Sequence, residues 1–232
     1  MHWDAPPKPA DLTEQRLITA ILDGTFPPDS HLPAERDLAQ QLGVTRPTLR
    51  EALQRLARDG WIDIQHGKHT RIRHIWTEGS LGVLSGIARY PDHQPPEFVP
   101  HLLQIRLLMA PEYAAMAVRN NPGQVLEALK PCLTLPENPG AFTNADWNVH
   151  LTLTIASSNP IFTLILNGFR ELYLIMGARY FQSEQARSFS RGFYTDLHAC
   201  TLSGDFGKAE KVTRNVMARS INLWNQISGG EG

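Results

Sequence analysis

The sequence predicts a mostly α-helical chain in two parts: an N-terminal winged helix-turn-helix with a small β-hairpin, and a C-terminal all-α helical bundle. Three observations carry this. Two short amphipathic stretches are joined across Gly43-Val44-Thr45, the tight glycine-containing turn of a helix-turn-helix. Trp61–Gln65 and Thr70–Ile75 then alternate around His66-Gly67-Lys68, the period-two pattern of a hairpin. From residue 98 onward the long segments read as helices, with no convincing strand pattern.

The elements follow in order. Asp11-Leu-Thr-Glu14 has the form of a capping box ahead of Leu17, Ile18, Ile21 and Leu22, which recur at helical spacing. Gly24 and Pro27-Pro28 end that helix. Pro33 can open a second helix at its first turn, where a missing N–H costs nothing. Leu38, Ala39 and Leu42 form its inner face, and Gly43 supplies a left-handed cap. Thr45 suits the N-cap of a third helix. Its Leu49, Leu53 and Leu56 make an apolar stripe, and Arg46, Arg50 and Gln54 lie on another face. Residues 76–100 form a junction with a helix at Leu81–Ile87 and a Pro-rich loop at Pro91–Pro96. Helices are expected over 98–120, 122–132, 139–157, 160–181, 184–203 and 206–227. The domain boundary is placed after Trp76, giving a DNA-binding domain at 1–76 and a helical effector domain at 77–232.

Composition narrows the class. A chain of 232 residues with 42% hydrophobic content can bury a core without staples. Cys132 and Cys200 match no metal motif and suit reduced thiols in an intracellular setting. Met1–Ala10 is polar and Pro-rich, unlike a signal peptide, and Ile161–Phe181 is interrupted by Asn167, Arg170, Glu171 and Arg179. A cytoplasmic protein without a membrane span is therefore expected. The net charge is −1, yet residues 36–75 hold eight Lys/Arg against four acids. A basic face on a near-neutral chain suits DNA binding confined to one module. No G-x-S-x-G elbow and no H-E-x-x-H helix is present, so no enzyme is expected.

Phe26-Pro-Pro, Leu32-Pro-Ala-Glu-Arg36, Gly43-Val-Thr-Arg46 and Leu49-Arg-Glu-Ala-Leu-Gln-Arg-Leu56 resemble the DNA-binding domain of the GntR family. Further along, Arg58-Asp-Gly-Trp61, Ile64-Gln-His-Gly-Lys68, Asn159-Pro-Ile161, Leu164-Ile-Leu-Asn-Gly168, Tyr180-Phe181, Glu184-Gln-Ala-Arg-Ser188 and Gly192-Phe-Tyr194 resemble its FadR subfamily. The resemblance implies a homodimer on a palindromic double-stranded DNA operator, released when long-chain acyl-coenzyme A binds the helical domain. It also implies repression of fatty acid degradation genes, activation of unsaturated fatty acid synthesis genes, and no resident cofactor.

Candidate residues fall into two groups. Arg46 lies in the first turn of the recognition helix, and a guanidinium can donate two hydrogen bonds to guanine O6 and N7. Arg50, one turn later, can reach bases or phosphates. The resemblance assigns Arg36 and Arg46 to bases, and Thr45, Thr48 and Arg50 to the interface generally. At the wing, Gly67 permits a tight turn, His66 is small enough for a minor groove, and Lys68 can meet a phosphate. For the ligand, Arg106, Tyr180, Tyr194, Ser220 and Trp224 match family positions tied to the acyl-coenzyme A response, and His150, Tyr173 and Met217 complete the expected set. An anionic head suits Arg106, and a long tail suits a tunnel of aromatic and aliphatic side chains. Met217 stands where the family has Gly, Gly229 where it has Lys, and His150 where it has an aromatic. Asp146 and His150 are an i, i+4 pair able to hold a metal, as in relatives that bind an organic acid through one. The two matching ligand positions are Tyr194 and Val216, and Val216 cannot ligate, so no metal is expected.

Overall fold

The computed structural model describes residues 8–65, 67–90 and 93–229. It divides into two compact units, residues 1–94 and 95–232. Among the described residues there are twelve α-helices and one two-stranded antiparallel ladder.

In the first unit, α1 (Pro9–Leu22) packs on α3 (Arg46–Asp59), and α2 (Glu35–Leu42) packs against α3 from another side. Leu17, Ile18, Leu38, Leu49, Leu53 and Leu56 are buried together, as their helical spacing requires. Arg55 fastens α3 to α1 through Asp11 at 2.6 Å and Glu14 at 3.4 Å, and Arg16 donates to the Leu42 carbonyl at the end of α2. Gly43 takes φ 68°, the left-handed cap that lets the chain turn within two residues into α3. Thr45 caps α3 by accepting the Thr48 N–H.

Two helix starts differ from the sequence reading. Helix α1 begins at Pro9, with Lys8 as N-cap and no side-chain cap bond. Asp11 sits in the first turn, where its carboxylate takes Arg55. Helix α2 begins at Glu35, not Pro33. The preceding chain stays extended because the Leu32 N–H bonds to the Thr70 carbonyl at 2.8 Å.

The hairpin strands are shorter than expected. β1 (Ile62–Asp63) pairs with β2 (Arg71–Ile72), with Ile62 opposite Ile72. The segment around His31 bridges to Arg71 on the other side of β2. A short helix α4 (Ile75–Glu78) and then α5 (Leu81–Ala88) follow, and α5 docks on α3 and on Trp61. Ser80 Oγ donates to the Asp59 carbonyl at 2.7 Å and accepts the Gly82 N–H, tying the start of α5 to the last residue of the recognition helix.

The second unit contains α6 (Phe98–Asn120), α7 (Pro122–Leu129), a 3-10 turn (Lys130–Thr134), α8 (Pro139–Ala156), α9 (Pro160–Gly168), α10 (Arg170–Tyr180), α11 (Glu184–Leu202) and α12 (Phe206–Gly229). α12 lies along α6, and Tyr113, Phe142, Leu153, Phe181, Tyr194 and Leu197 fill the core. α7 stops before Pro131, whose missing N–H cannot continue an α-helix. The single helix expected over 160–181 is two, bent by 66° after Gly168. The bend turns Phe169 and both flanking arms toward an internal cavity. Among the described residues no single helix is long and apolar enough to cross a membrane.

A Cβ at Gly86 would stand 2.4 Å from Trp61 Cζ2, and Trp61 is itself only 1% exposed. Gly86→Ala should therefore lower stability by about 1–3 kcal/mol through overpacking. Urea denaturation reads this as a reduced midpoint with unchanged slope. An unchanged midpoint would mean that α5 shifts off Trp61 at no cost.

Candidate functional site

Two sites emerge, one in each unit. On the first, the recognition helix presents its N-terminal end to solvent. Thr45 and Arg46 are exposed, and Thr48 is partly so. The Thr45 and Thr48 hydroxyls are 2.8 Å apart, each able to offer the other or a phosphate a proton. Arg36 and Arg50 are also exposed, but each leans on an acid: Arg36 on Asp37 at 2.9 Å, Arg50 on Glu35 at 2.7 Å. Such exposed pairs are weak and are exchanged for phosphate or base oxygens at little cost. Arg46 has no hydrogen bond or ion pair among the described residues, so its guanidinium is free to donate. Gly67 (φ 74°) and exposed Lys68 form the wing tip, with the Lys68 N–H closing a turn onto the Gln65 carbonyl. His66 lies outside the described residues. Other basic residues of the +4 segment serve the fold: Arg55 bonds Asp11 and Glu51, and Arg71 bonds Asp29 and Glu78.

In the second unit a cavity of about 110 Å³ lies among α6, α9, α10 and α12. Its wall is apolar (Leu102, Met109, Leu166, Phe169, Leu172, Met176) except near one polar group of residues. Of the eight expected ligand residues, Arg106, Tyr173, Tyr180, Ser220 and Trp224 line it. Tyr194, His150 and Met217 are buried outside that lining. The Ser220 hydroxyl donates to the Met217 carbonyl at 2.7 Å, leaving only its lone pairs for a ligand. Tyr113 also lines the cavity and was not singled out from sequence. The signal was there: Arg106, Met109 and Tyr113 sit at i, i+3 and i+7 on α6.

The polar group centres on Asp146, only 6% exposed. One carboxylate oxygen accepts from Arg106 Nη2 at 3.1 Å and from the Tyr173 hydroxyl, and the other accepts from the Tyr194 hydroxyl at 2.9 Å. Arg106 Nη2 also donates to the Tyr173 hydroxyl at 2.7 Å, and its guanidinium lies 4.7 Å from the centre of that ring. Burial works against the carboxylate, but the neighbouring His150 and Arg106 and the two tyrosine hydroxyls outweigh it and hold the carboxyl below its usual range. The same burial pushes Tyr113, Tyr173 and Tyr194 up, so all three remain protonated donors. Burial, assisted by Arg106, depresses His150 to about 3 against the pull of Asp146. Its imidazole is therefore neutral at pH 7. Tyr113 Oη and His150 Nδ1 are 2.7 Å apart. With the Asp146 carboxylate 4.0 Å from Nε2, the favoured tautomer carries its proton on Nε2 and accepts the Tyr113 hydroxyl at Nδ1. Two buried nitrogens then lack an acceptor, Arg106 Nε and His150 Nε2. Asp146 and His150 do come together, but among the described residues no cluster of three or more His, Cys, Asp or Glu side chains could hold a metal.

The neutral buried imidazole makes stability depend on pH. The unfolded chain protonates His150 below about 6.5, and the folded chain resists down to about 3. The unfolded state thus binds more protons in that window, and stability falls as pH drops below 6.5. Between pH 6.5 and 5 the loss from this residue is about 2 kcal/mol. Urea midpoints measured across that range should fall more steeply for the wild-type chain than for His150→Gln. Parallel slopes would contradict the assignment of a neutral His150.

The family models divide the chain at residue 72, ahead of the division between the two units after residue 94. Residues 9–72 match the family model for bacterial regulatory proteins of the gntR family, and residues 73–229 match the FadR C-terminal domain. A fatty acid metabolism regulator protein of Shewanella pealeana is 39% identical over 94% of this chain and 92% of its own length. The protein of the same description from Cronobacter sakazakii is 39% identical with the same coverage. Among solved structures, Lar of Listeria monocytogenes, described as controlling expression of the agr system, superposes with a TM-score of 0.65 at 17% identity, covering 95% of this chain and 98% of that one. These relatives are transcription regulators, not enzymes. This chain belongs to the GntR family of bacterial regulatory proteins and carries the FadR-type C-terminal domain.

Proposed function

We propose that this protein regulates transcription of fatty acid metabolism genes and leaves its operator when a long-chain acyl-coenzyme A occupies the helical unit. It acts as a homodimer on a palindrome, repressing degradation genes and activating genes of unsaturated fatty acid synthesis. The observation that carries the effector reading is the cavity itself: an apolar wall with one partly buried cation, whose buried Nε has no acceptor. A thioester carbonyl or an anionic head can supply that acceptor while the chain lies along the apolar wall. The relatives described as fatty acid metabolism regulators support the same reading.

Room for a long tail comes from movement of the wall. A cavity of about 110 Å³ is small beside ligand clefts of roughly 300–1,000 Å³. α9 and α10 meet in a 66° elbow at Phe169, and both arms face the cavity. Opening that elbow enlarges the cavity and pulls Tyr173 on α10 away from Arg106 and Asp146. Linkage then requires the ligand to weaken operator binding by the factor by which the operator weakens ligand binding.

On the DNA side, Arg46→Ala should cost about 1–3 kcal/mol of specific binding and relax the preference for one guanine per half-site. Gel-shift titrations on operator and on scrambled DNA measure this. Equal losses on both would reduce Arg46 to a phosphate contact.

On the ligand side, calorimetry should show palmitoyl-coenzyme A binding more tightly than octanoyl-coenzyme A, since each unburied CH₂ forfeits about 0.8 kcal/mol. Removing Arg106 alone would strand a buried carboxylate. The double replacement Arg106→Met with Asp146→Asn is therefore the cleaner variant. It should keep operator binding but need at least about tenfold more acyl-coenzyme A for release, one decade per 1.4 kcal/mol lost. Wild-type protein that gives neither heat nor operator release with either thioester would overturn the effector assignment and leave DNA binding intact.

A further inference from the structure

We propose that Arg187 is a positioning residue: it pins the C-terminal end of α10, so that the cavity opens by a swing of α10 about that end and not by displacement of the whole helix. The inference rests on the acyl-coenzyme A reading above and specifies how the wall yields. The Glu184-Gln-Ala-Arg187-Ser188 stretch, part of the family resemblance, contributes no residue to the cavity. Its arginine reaches the end of a helix that does. Arg187 Nη1 donates to the Phe181 carbonyl at 2.7 Å and to the Gln182 carbonyl at 3.0 Å, and Nε donates to Glu137 at 3.1 Å. Arg191, one turn on, donates to the same carboxylate and to the Leu135 carbonyl at 3.1 Å, with its guanidinium 5.1 Å from the centre of the Phe142 ring. The Arg187 side chain is only 13% exposed, so its bonds are sheltered from solvent. A cation on the last carbonyls of a helix fills their lone pairs and meets the negative end of its dipole.

The two ends of α10 are held by different means. Near the C-terminal end, Phe181 is buried against Phe142, and a Cβ at Gly177 would stand 3.1 Å from Thr143 Cγ2. This half sits tight on the first turns of α8 and is clamped by charge-assisted bonds. At the N-terminal end, Arg170 lies 6.0 Å over the Trp147 ring, and Tyr173 meets that ring edge-on at 5.2 Å. The polar tether there is the Tyr173 hydroxyl, bonded to Arg106 and Asp146 at the cavity itself. Arg187, Arg191 and Glu137 stand outside the cavity lining, so a ligand can draw on the tether and leave the clamp intact. α10 has 11 residues, about 16 Å of helix, and a swing of about 15° about Phe181 moves the Arg170 end by roughly 4 Å. Tyr180 and Phe181 then form a fixed wall, and Phe169, Leu172 and Tyr173 a yielding one.

Dipolar electron paramagnetic resonance on the full-length protein tests this. One spin label is placed at exposed Glu127→Cys on α7, which contributes nothing to the cavity, and the other at Glu171→Cys or at Gln182→Cys. Cys132 and Cys200 are buried and stay unlabelled. Labelled chain is diluted with unlabelled chain, so that only distances within one chain are read. Saturating palmitoyl-coenzyme A should shift the 127–171 distance by roughly 2–4 Å and leave the 127–182 distance within about 1 Å. Adding Arg187→Met should free the second end, so that the 127–182 distance also changes on binding, an effect that loss of stability alone does not produce. Equal shifts at both ends with Arg187 in place overturn the inference, as does no shift at either end while calorimetry reports binding. Neither outcome depends on the Arg187 variant folding. A 127–182 distance that stays fixed in folded Arg187→Met overturns it as well. Absence of both heat and shift removes the acyl reading itself and this inference with it, an outcome distinct from binding without a swing.

Discussion

The helical unit depends on one buried carboxylate. Asp146 gathers Arg106 from α6, Tyr173 from α10 and Tyr194 from α11 around a single residue of α8. Four helices are thereby joined through one carboxylate, and Arg106 and Tyr173 also bond each other. A carboxylate in an apolar interior is tolerated only when its lone pairs are filled, and an arginine there only when its charge is met. The arrangement meets both conditions closely enough to hold Asp146 ionised. It also makes the bundle sensitive: anything that draws one of the four groups away raises the cost for the other three. A small apolar cavity beside such a group is a place where a modest ligand can produce a large structural response.

The DNA-binding unit uses its charge differently. Much of the basic segment serves architecture, with Arg55 of α3 holding Asp11 and Glu14 of α1, and Arg71 holding Asp29 and Glu78. Arg36 and Arg50 are parked on neighbouring acids at the surface, and Arg46 stands free beside the Thr45 cap. A count of positive residues therefore overstates the charge available to a phosphate backbone. What remains is concentrated at the N-terminal end of α3, which favours selectivity over indiscriminate adhesion.

The helix-turn-helix was readable because its signals are local: a left-handed glycine, a threonine cap and a leucine stripe act within a few residues of where they stand. The helix starts at Asp11 and Pro33 were misread for the opposite reason. Their outcomes turn on distant groups, Arg55 for one and the Thr70 carbonyl for the other. The elbow at Phe169 was also invisible, since both arms are apolar and only a cavity between them requires the chain to bend. Spacing alone placed Asp146 and His150 on one helix face, able to hold a metal, and the non-ligating Val216 argued against one. Burial and the tyrosines from other helices turn that pair into a hydrogen-bonding group instead, and no single-helix pattern encodes them. Most of the cavity's polar residues came from family resemblance, because they converge from segments far apart in the chain.

The recognition helix is held very unequally along its length. At its C-terminal end, Asp59 is tied to Ser80, and Gly86 rests against the Trp61 indole with no space for a methyl group. At its N-terminal end, the first turn is held by the Thr45 cap and neighbouring hydroxyls, with Leu49 buried and the exposed Arg50–Glu35 pair one turn on. Such asymmetry sets up a gradient of local opening: amide protons near Asp59 are shielded by α5, and those near Arg46 exchange by simple fraying. The helix therefore approaches DNA like a cantilever, clamped at the far end and compliant at the tip. It can settle into a groove of variable width without disturbing the core that carries it.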